Sequence, residues 1–384
     1  MKQIYMDYSA TTPMKPEVLS AMQEALKETY GNPSSVYSLG QEAKEKIEEA
    51  RGYLAPLIGA KPREIFFTSS GTEADNWAVH IAKKTKPGKH MITCAIEHHA
   101  VLHTMEAAQK EGYEVTFLPV DRYGFIDLEE LEREIRDDTI LISIMYVNNE
   151  IGTIMPIEEI GAIAKRKGIL FHTDGVQALG NVPLDMSSST VDMMSMSAHK
   201  IYGPKGIGAL YIRQGTRVVP LLHGGAQERR MRASTENVPG IIAFGEAARL
   251  AEAQLEDHVE RLTKLRDKLK DGLMQIPDSF FNGHPTKRHP GNVNICFKYI
   301  EGESMLLLLD AIGVCASSGS ACTSGSLDPS HVLMGIGLPH EIAHGSLRLT
   351  LGDFTVEEDV DYVIKHLPGI IERLREMSPL TPQK

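Results

Sequence analysis

The sequence predicts an α/β fold, a mainly parallel sheet clothed on both faces by helices, followed by a smaller α+β domain. From Ile65 to about Leu210 short β-rich runs alternate with helical stretches, the pattern of a parallel sheet joined by helical crossovers. After about Pro239 a long helical stretch leaves that alternation, and the last hundred or so residues mix shorter strands with helices. A chain of 384 residues also exceeds what one small core supports, so about two to three domains are expected.

Each element has its own signal. "EIFFTSS" precedes the helix-like "GTEADNWAVHIAKK", and "HMITCAI" precedes "HHAVLHTMEAAQKEG". "YEVTFLPV" and "TILISIMYV" continue the strands, "PIEEIGAIAKRKG" reads as a helix, and "ILFHTDG", "VDMMSMSA" and "GIGALYI" bring the sheet to seven strands. "GIIAFGEAARLAEAQLEDHVERLTKLRDKLKDGL" is one long helix. "GNVNICFKY" and "GSLRLTL" are strands of the smaller domain, and "TVEEDVDYVIKHLPGIIERLREM" is its last helix. These elements divide the chain into a large α/β domain over residues 16–259 and a small α+β domain over residues 1–15 and 260–384.

Bulk chemistry excludes several classes of function. A net charge of −11 and a pI near 5.8 argue against general nucleic-acid binding or a membrane-surface role. The densest apolar run, "MLLLLDAIGVCA", is broken by Asp310 and falls short of the roughly 18 residues of a membrane span. "MKQIYMDYSATTP" has no apolar core of a secretory signal, so a soluble, cytoplasmic protein is expected. No C-x-x-C pair occurs among the four cysteines, so a structural zinc site is not expected, and in a cytoplasmic chain of this size neither is a disulfide framework. Cys94 and Cys296 lie in strand-like apolar runs and read as buried packing, and core packing also leads for Cys315. Cys322 differs. It stands in "SSGSACTSGSLDPS", among small residues that pack and anchor poorly. A thiol used for packing belongs among apolar neighbours, whereas a reactive thiolate gains from mobility.

In parallel sheets ligands sit beyond the carboxyl ends of the strands, so those residues carry the functional reading. After "EIFFT" comes Ser69-Ser70-Gly71-Thr72-Glu73, a turn feeding a helix N-terminus. It reads as an anion cradle and equally as a capping box of Ser70 with Glu73. Asp174, after "ILFHT", suits either an ion pair or a cationic ring nitrogen. Lys200, after "VDMMSMSA", suits either snorkelling or a Schiff base, because burial disfavours the ammonium form; Lys205 reads as solvent-facing. His98 in "EHHAV" and Asn148-Asn149 in "VNNEIG" follow two further strands. A phosphate cradle, an acid for a ring nitrogen and a Schiff-base lysine together meet the needs of pyridoxal phosphate.

With "MDYSATTP", "GNPSS", "TSSGTEADN", "SAHKIYGPKGIGALY", "HGGAQERRMRAST", "SSGSACTSGSLDPSHVL" and "SLRLTLG", the chain resembles, nearly end to end, the cysteine desulfurases of the nitrogen-fixation and iron–sulfur-assembly type. The resemblance implies a homodimer of fold-type-I, class V aminotransferase-like architecture that binds pyridoxal 5'-phosphate. It implies that Lys200 holds the cofactor, Asp174 faces its ring nitrogen, Gln177 and Asn149 bond its ring oxygen, and His98 stacks on the ring and serves catalysis. Gly71, Thr72, Ser197, Ala198 and His199 are implied at the cofactor, mainly its phosphate, joined by Thr235 from the other subunit. Arg348 is implied as the partner of the substrate carboxylate, helped by Asn149 and Asn32. Cys322 is implied as the thiolate that takes sulfur from L-cysteine as a persulfide, leaving L-alanine, and passes it to an acceptor such as an iron–sulfur scaffold. A selenocysteine lyase or a class V aminotransferase on the same scaffold is the alternative.

Three features depart from the family pattern. Tyr37 stands where His is common, and Ser234 stands where Gly is usual. The sequence stops soon after "LREMSPLTPQK", without the extended tail by which some housekeeping relatives dock their scaffold, which places it nearer the nitrogen-fixation-like branch.

Overall fold

The computed structural model describes residues 3–318, 329–379 and 381. Cys322 therefore lies outside the described residues. The expected alternation folds into a seven-stranded sheet built from β2 (Ile65–Thr68), β3 (His90–Cys94), β4 (Glu114–Leu118), β5 (Thr139–Ser143), β6 (Leu170–Asp174), β7 (Met193–Ser197) and β8 (Gly208–Ile212). Their order is β2-β8-β7-β6-β5-β3-β4. All neighbours run parallel except β8, which is antiparallel to both β2 and β7. Every strand but the edge strand β4 is buried along its whole length, as expected when helices cover both faces.

Those faces form separate cores. Trp77, Ala78, Ile81 and Ala82 of α3 (Gly71–Thr85) pack with Met91, Leu141 and Leu210 on one side. Phe67, Ile92, Ile142, Phe171 and Met194 meet α6 (Ile157–Lys167) and the Val238–Ala248 part of α7 (Val238–Leu273) on the other. A third core joins Leu262, Leu269 and Leu273 of α7 to β10 (Asn292–Phe297), β12 (Ser346–Thr350) and α11 (Glu357–Met377). Ile4 and Met6 belong to that same core, and β1 (Ile4–Tyr5) pairs in parallel with β11 (Val314–Cys315). One helix thus changes cores between Ala248 and Leu262.

The cysteines divide as their surroundings dictate. Cys94 and Cys296 are fully buried; burial pushes the Cys296 thiol up to about 12. Cys315 is only half-buried and accepts from Gln3 Nε2 at 3.4 Å. It sits on a two-stranded pair at the margin of the third core, so full core packing is not reached there.

Candidate active site

The chain direction across the sheet reverses between β3 and β5: β3 pairs with β4 on one side, while β5, β6 and β7 proceed on the other. Crevices form at such points beyond the strand ends. A cavity of about 460 Å³ opens there, lined by residues that follow β2, β3, β5, β6 and β7 and by Arg348 of β12.

The turn after β2 is built for close approach. Ser70 caps α3, its Oγ accepting from Glu73 N at 3.1 Å. The Glu73 carboxylate reaches not Ser70 N but Ser69, accepting from its N at 2.8 Å and its Oγ at 2.5 Å. Arg232 grips the same carboxylate through two nitrogens, at 2.8 and 2.9 Å. Burial alone raises Glu73, but Arg232 and Ser69 outweigh it and hold the carboxyl below its ordinary value. A Cβ on Gly71 would sit 2.8 Å from Val176 Cγ2, and one on Gly208 would sit 2.6 Å from the Ser70 carbonyl carbon. Both glycines let the helix N-terminus press on the strand ends, where its first N–H groups lack helical partners. Gly71 and Thr72 face the cavity.

Asp174 ends β6, is 6% exposed, and accepts from Val176 N at 2.9 Å. Beside it Asp75 of α3 is 1% exposed, its Oδ1 without a hydrogen bond among the described residues and 3.6 Å from His172 Nε2. Burial first, then mutual repulsion, raises Asp75 well above the usual carboxylate range; burial likewise raises Asp174. His98 caps α4 (His99–Lys110), its Nδ1 accepting from Ala100 N at 3.1 Å. The ring proton of the neutral imidazole therefore sits on Nε2. Burial and then the Lys200 charge lower His98 to about 4.

Lys200 closes a short turn after β7, and its Nζ donates to the carbonyls of Ser9 and, at 2.8 Å, Ala10. Gln177 Nε2 donates to the same Ser9 carbonyl at 3.0 Å. His199 Nδ1 lies 3.1 Å from Thr11 Oγ1, and burial ahead of the neighbouring lysines lowers its ring to about 4. Arg348 is 2% exposed and donates to Asn149 O at 3.1 Å and to Asp7 Oδ1 at 3.0 Å.

The cavity thus brings together Gly71, Thr72, His98, Asn149, Asp174, Gln177, Ser197, His199, Lys200 and Arg348. The other expected positions stand apart. Ala198 is fully buried and packs into the main core. Asn32 is exposed and accepts from Ser34 N at 2.9 Å in its own turn, away from the cavity lining. Thr235, read as serving the other subunit, is exposed and does not line this chain's cavity. Asn148 is structural: its amide spans Ile96 O and the N–H groups of Glu150 and Ile151. Lys205 is exposed yet lines the cavity rim. Sequence reasoning missed Ser9, Ala10, Thr11 and Asp75 as cavity residues; for the first three the signal was the quoted "MDYSATTP", which follows no strand of the large sheet.

The donor set fits one kind of guest. A helix N-terminus suits a phosphate, two crowded buried carboxyls call for a cationic partner, and an amine in the same cavity suits an aldehyde. The fold and this donor set define the chain's class. It belongs to the aminotransferase class-V family, which it matches over residues 4–363. Within that class it stands among the cysteine desulfurases. It is 57% identical over 386 residues to the cysteine desulfurase IscS of Methanosarcina thermophila, covering 100% of this chain and 95% of that one. It is similar to a solved NifS-like protein, with a TM-score of 0.91, 39% identity, and coverage of 97% of this chain and 100% of the other. It is also similar to SspA in complex with cysteine, with a TM-score of 0.80 and 34% identity over 92% of this chain and 100% of that one. Among the described residues no helix is long and apolar enough to cross a membrane.

Proposed function

We propose that this chain is a pyridoxal 5'-phosphate-dependent cysteine desulfurase that takes sulfur from L-cysteine, releases L-alanine and carries the sulfur as a persulfide on Cys322. The observation that carries the reading is the meeting of the Lys200 amine, the Asp174 carboxylate and the Arg348 guanidinium in one cavity of about 460 Å³. Lys200 would hold the coenzyme aldehyde, Asp174 its ring nitrogen, Gln177 and Asn149 its ring oxygen, and Gly71, Thr72, Ser197 and His199 its phosphate. When bound, the coenzyme supplies an electron sink for bond breaking at the substrate's α-carbon.

The chain's own residues do the rest. Arg348 receives the substrate carboxylate through a charge-assisted fork. His98, neutral at physiological pH and protonated on Nε2, would offer its ring face to the coenzyme and a proton to the cavity. Burial and then the Asp174 charge hold the Asp75 carboxyl well above its ordinary range, which would leave Asp174 as the acid that meets the ring nitrogen. The Cys322 thiolate forms an S–S bond to the substrate sulfur as the Cβ–S bond breaks. The electron pair of that bond stays with the carbon fragment, which takes up a proton and leaves as L-alanine.

The homodimer is part of the proposal. Leu26, Tyr30, Val36 and Tyr37 are 60%, 73%, 92% and 58% exposed, large apolar side chains that a second copy would cover. Thr235 is exposed and available to a second copy. The acceptor of the sulfur is proposed as a protein of the iron–sulfur scaffold kind. We propose the division into residues 16–259 and the remainder on the change of core within α7.

The test is Cys322→Ser, followed by alanine and sulfide release from L-cysteine with a reducing thiol. Release falls to below roughly one hundredth of the original, the scale of losing a group that acts only in the reaction, while the yellow coenzyme absorbance stays. A Cys322→Ser protein with full alanine and sulfide release would point instead to a lyase or aminotransferase that has no use for the thiol.

A further inference from the structure

Arg348 is held from behind by a carboxylate that takes no part in the cavity wall. Its Nη2 donates to Asp7 Oδ1 at 3.0 Å and its Nη1 to Asn149 O at 3.1 Å. Its Nε is buried and has no partner among the described residues. Asp7 is itself anchored. Its Oδ2 accepts from Ser317 Oγ at 2.8 Å, and its carbonyl accepts from Tyr5 Oη and Ala10 N, each at 3.0 Å. Ser317 is paired in turn with the Arg348 backbone, N to O at 3.2 Å and O to N at 2.6 Å. Asp7, Ser317 and Arg348 therefore close a ring of contacts.

We infer that Asp7 is the positioning residue for carboxylate recognition: it clamps the Arg348 guanidinium against Asn149 O at the wall of the cavity that takes the α-carboxylate of an amino acid. An arginine side chain has several soft torsions, and a 3% exposed guanidinium without a counter-charge is costly. Asp7 removes both problems from outside the cavity, because Arg348 lines the cavity and Asp7 does not. The same short segment also reaches the amine of the cavity. Ser9 and Ala10 carbonyls hold Lys200 Nζ, so residues 7–10 index the amine site and the carboxylate site to one another. This inference rests on Arg348 as the carboxylate partner.

The experiment compares Asp7→Ala, Arg348→Ala and the double variant as holoenzymes, measuring kcat and KM for L-cysteine. The Kd of L-alanine is read from the coenzyme absorbance. Asp7→Ala raises KM and the L-alanine Kd roughly tenfold with a much smaller change in kcat, and the double variant is no weaker than Arg348→Ala alone. Should Asp7→Ala fail to fold, Asp7→Asn, which keeps the shape and removes the charge, raises the same constants at least about threefold. The inference is overturned if Arg348→Ala raises these constants while the Asp7 variants leave them within about twofold, or if the two effects multiply in the double variant. If Arg348→Ala itself changes neither constant, the carboxylate role of Arg348 falls, and that of Asp7 with it.

Discussion

Lys200 Nζ donates to the backbone carbonyl of Ala10 at 2.8 Å, across 190 residues of chain. The Ser9 carbonyl accepts from the same amine. Neutral carbonyl acceptors oppose loss of the lysine's proton less than a hydrogen-bonded carboxylate would.

Lys200→Ala should therefore spare the fold and abolish covalent retention of the coenzyme. After borohydride reduction, the unmodified protein carries coenzyme mass on the peptide containing Lys200, and Lys200→Ala carries none. Alanine formation falls by roughly 10²–10⁴. Coenzyme recovered on Lys205, the exposed lysine at the cavity rim, would overturn the assignment.

Much of the site was legible because a parallel sheet delivers the ends of its strands to one edge, whatever their distance in sequence. His98, Asn149, Asp174 and Lys200 were found that way, and all four line the cavity. Asp7 was not legible, since its pairing with Arg348 spans 341 residues and neither lies at an end of the large sheet. Neighbours within a motif were also beyond the sequence: Ser197 and His199 face the cavity, while Ala198 between them turns into the core. Spacing likewise suggested that Glu73 returns to Ser70, yet its carboxylate bonds Ser69 and Arg232, a partner 159 residues away.

Ser234 adopts φ +100°, a backbone region that penalises a side chain and favours glycine. It ends a segment already bent the same way at Glu228, Arg229 and Arg230, with φ of 42°, 58° and 70°. That bend is pinned by Glu228, which takes Arg51 at 2.7 Å and 2.9 Å and Phe67 N at 2.9 Å. The family's usual glycine at this position thus has a conformational reason. Ser234→Gly should stabilise the protein by up to about 1 kcal/mol, relief of strain outweighing the added freedom of the unfolded chain. Denaturant unfolding checks it; an unchanged or lower midpoint would mean that no strain is relieved there.

Glu97 is buried at 1% exposure directly before His98. Its Oε1 accepts from Met145 N at 2.7 Å and from Cys94 Sγ at 3.0 Å, while Oε2 has no partner among the described residues. Burial, aided by the nearby Asp174, raises its carboxyl from 4.5 to about 8 despite those two hydrogen bonds. The folded protein therefore binds a proton that the unfolded chain has already released above about pH 4.5. Stability from this group is complete below that pH, declines as pH rises, and reaches its floor above about 8. Glu97→Gln copies the protonated carboxyl and cannot ionise. It should raise Tm by several degrees at pH 9 and leave it within roughly 1 °C at pH 5. An equal shift at both pH values would mean that Glu97 is ionised in the folded protein throughout, and that its buried charge is balanced by a contact other than those to Met145 and Cys94.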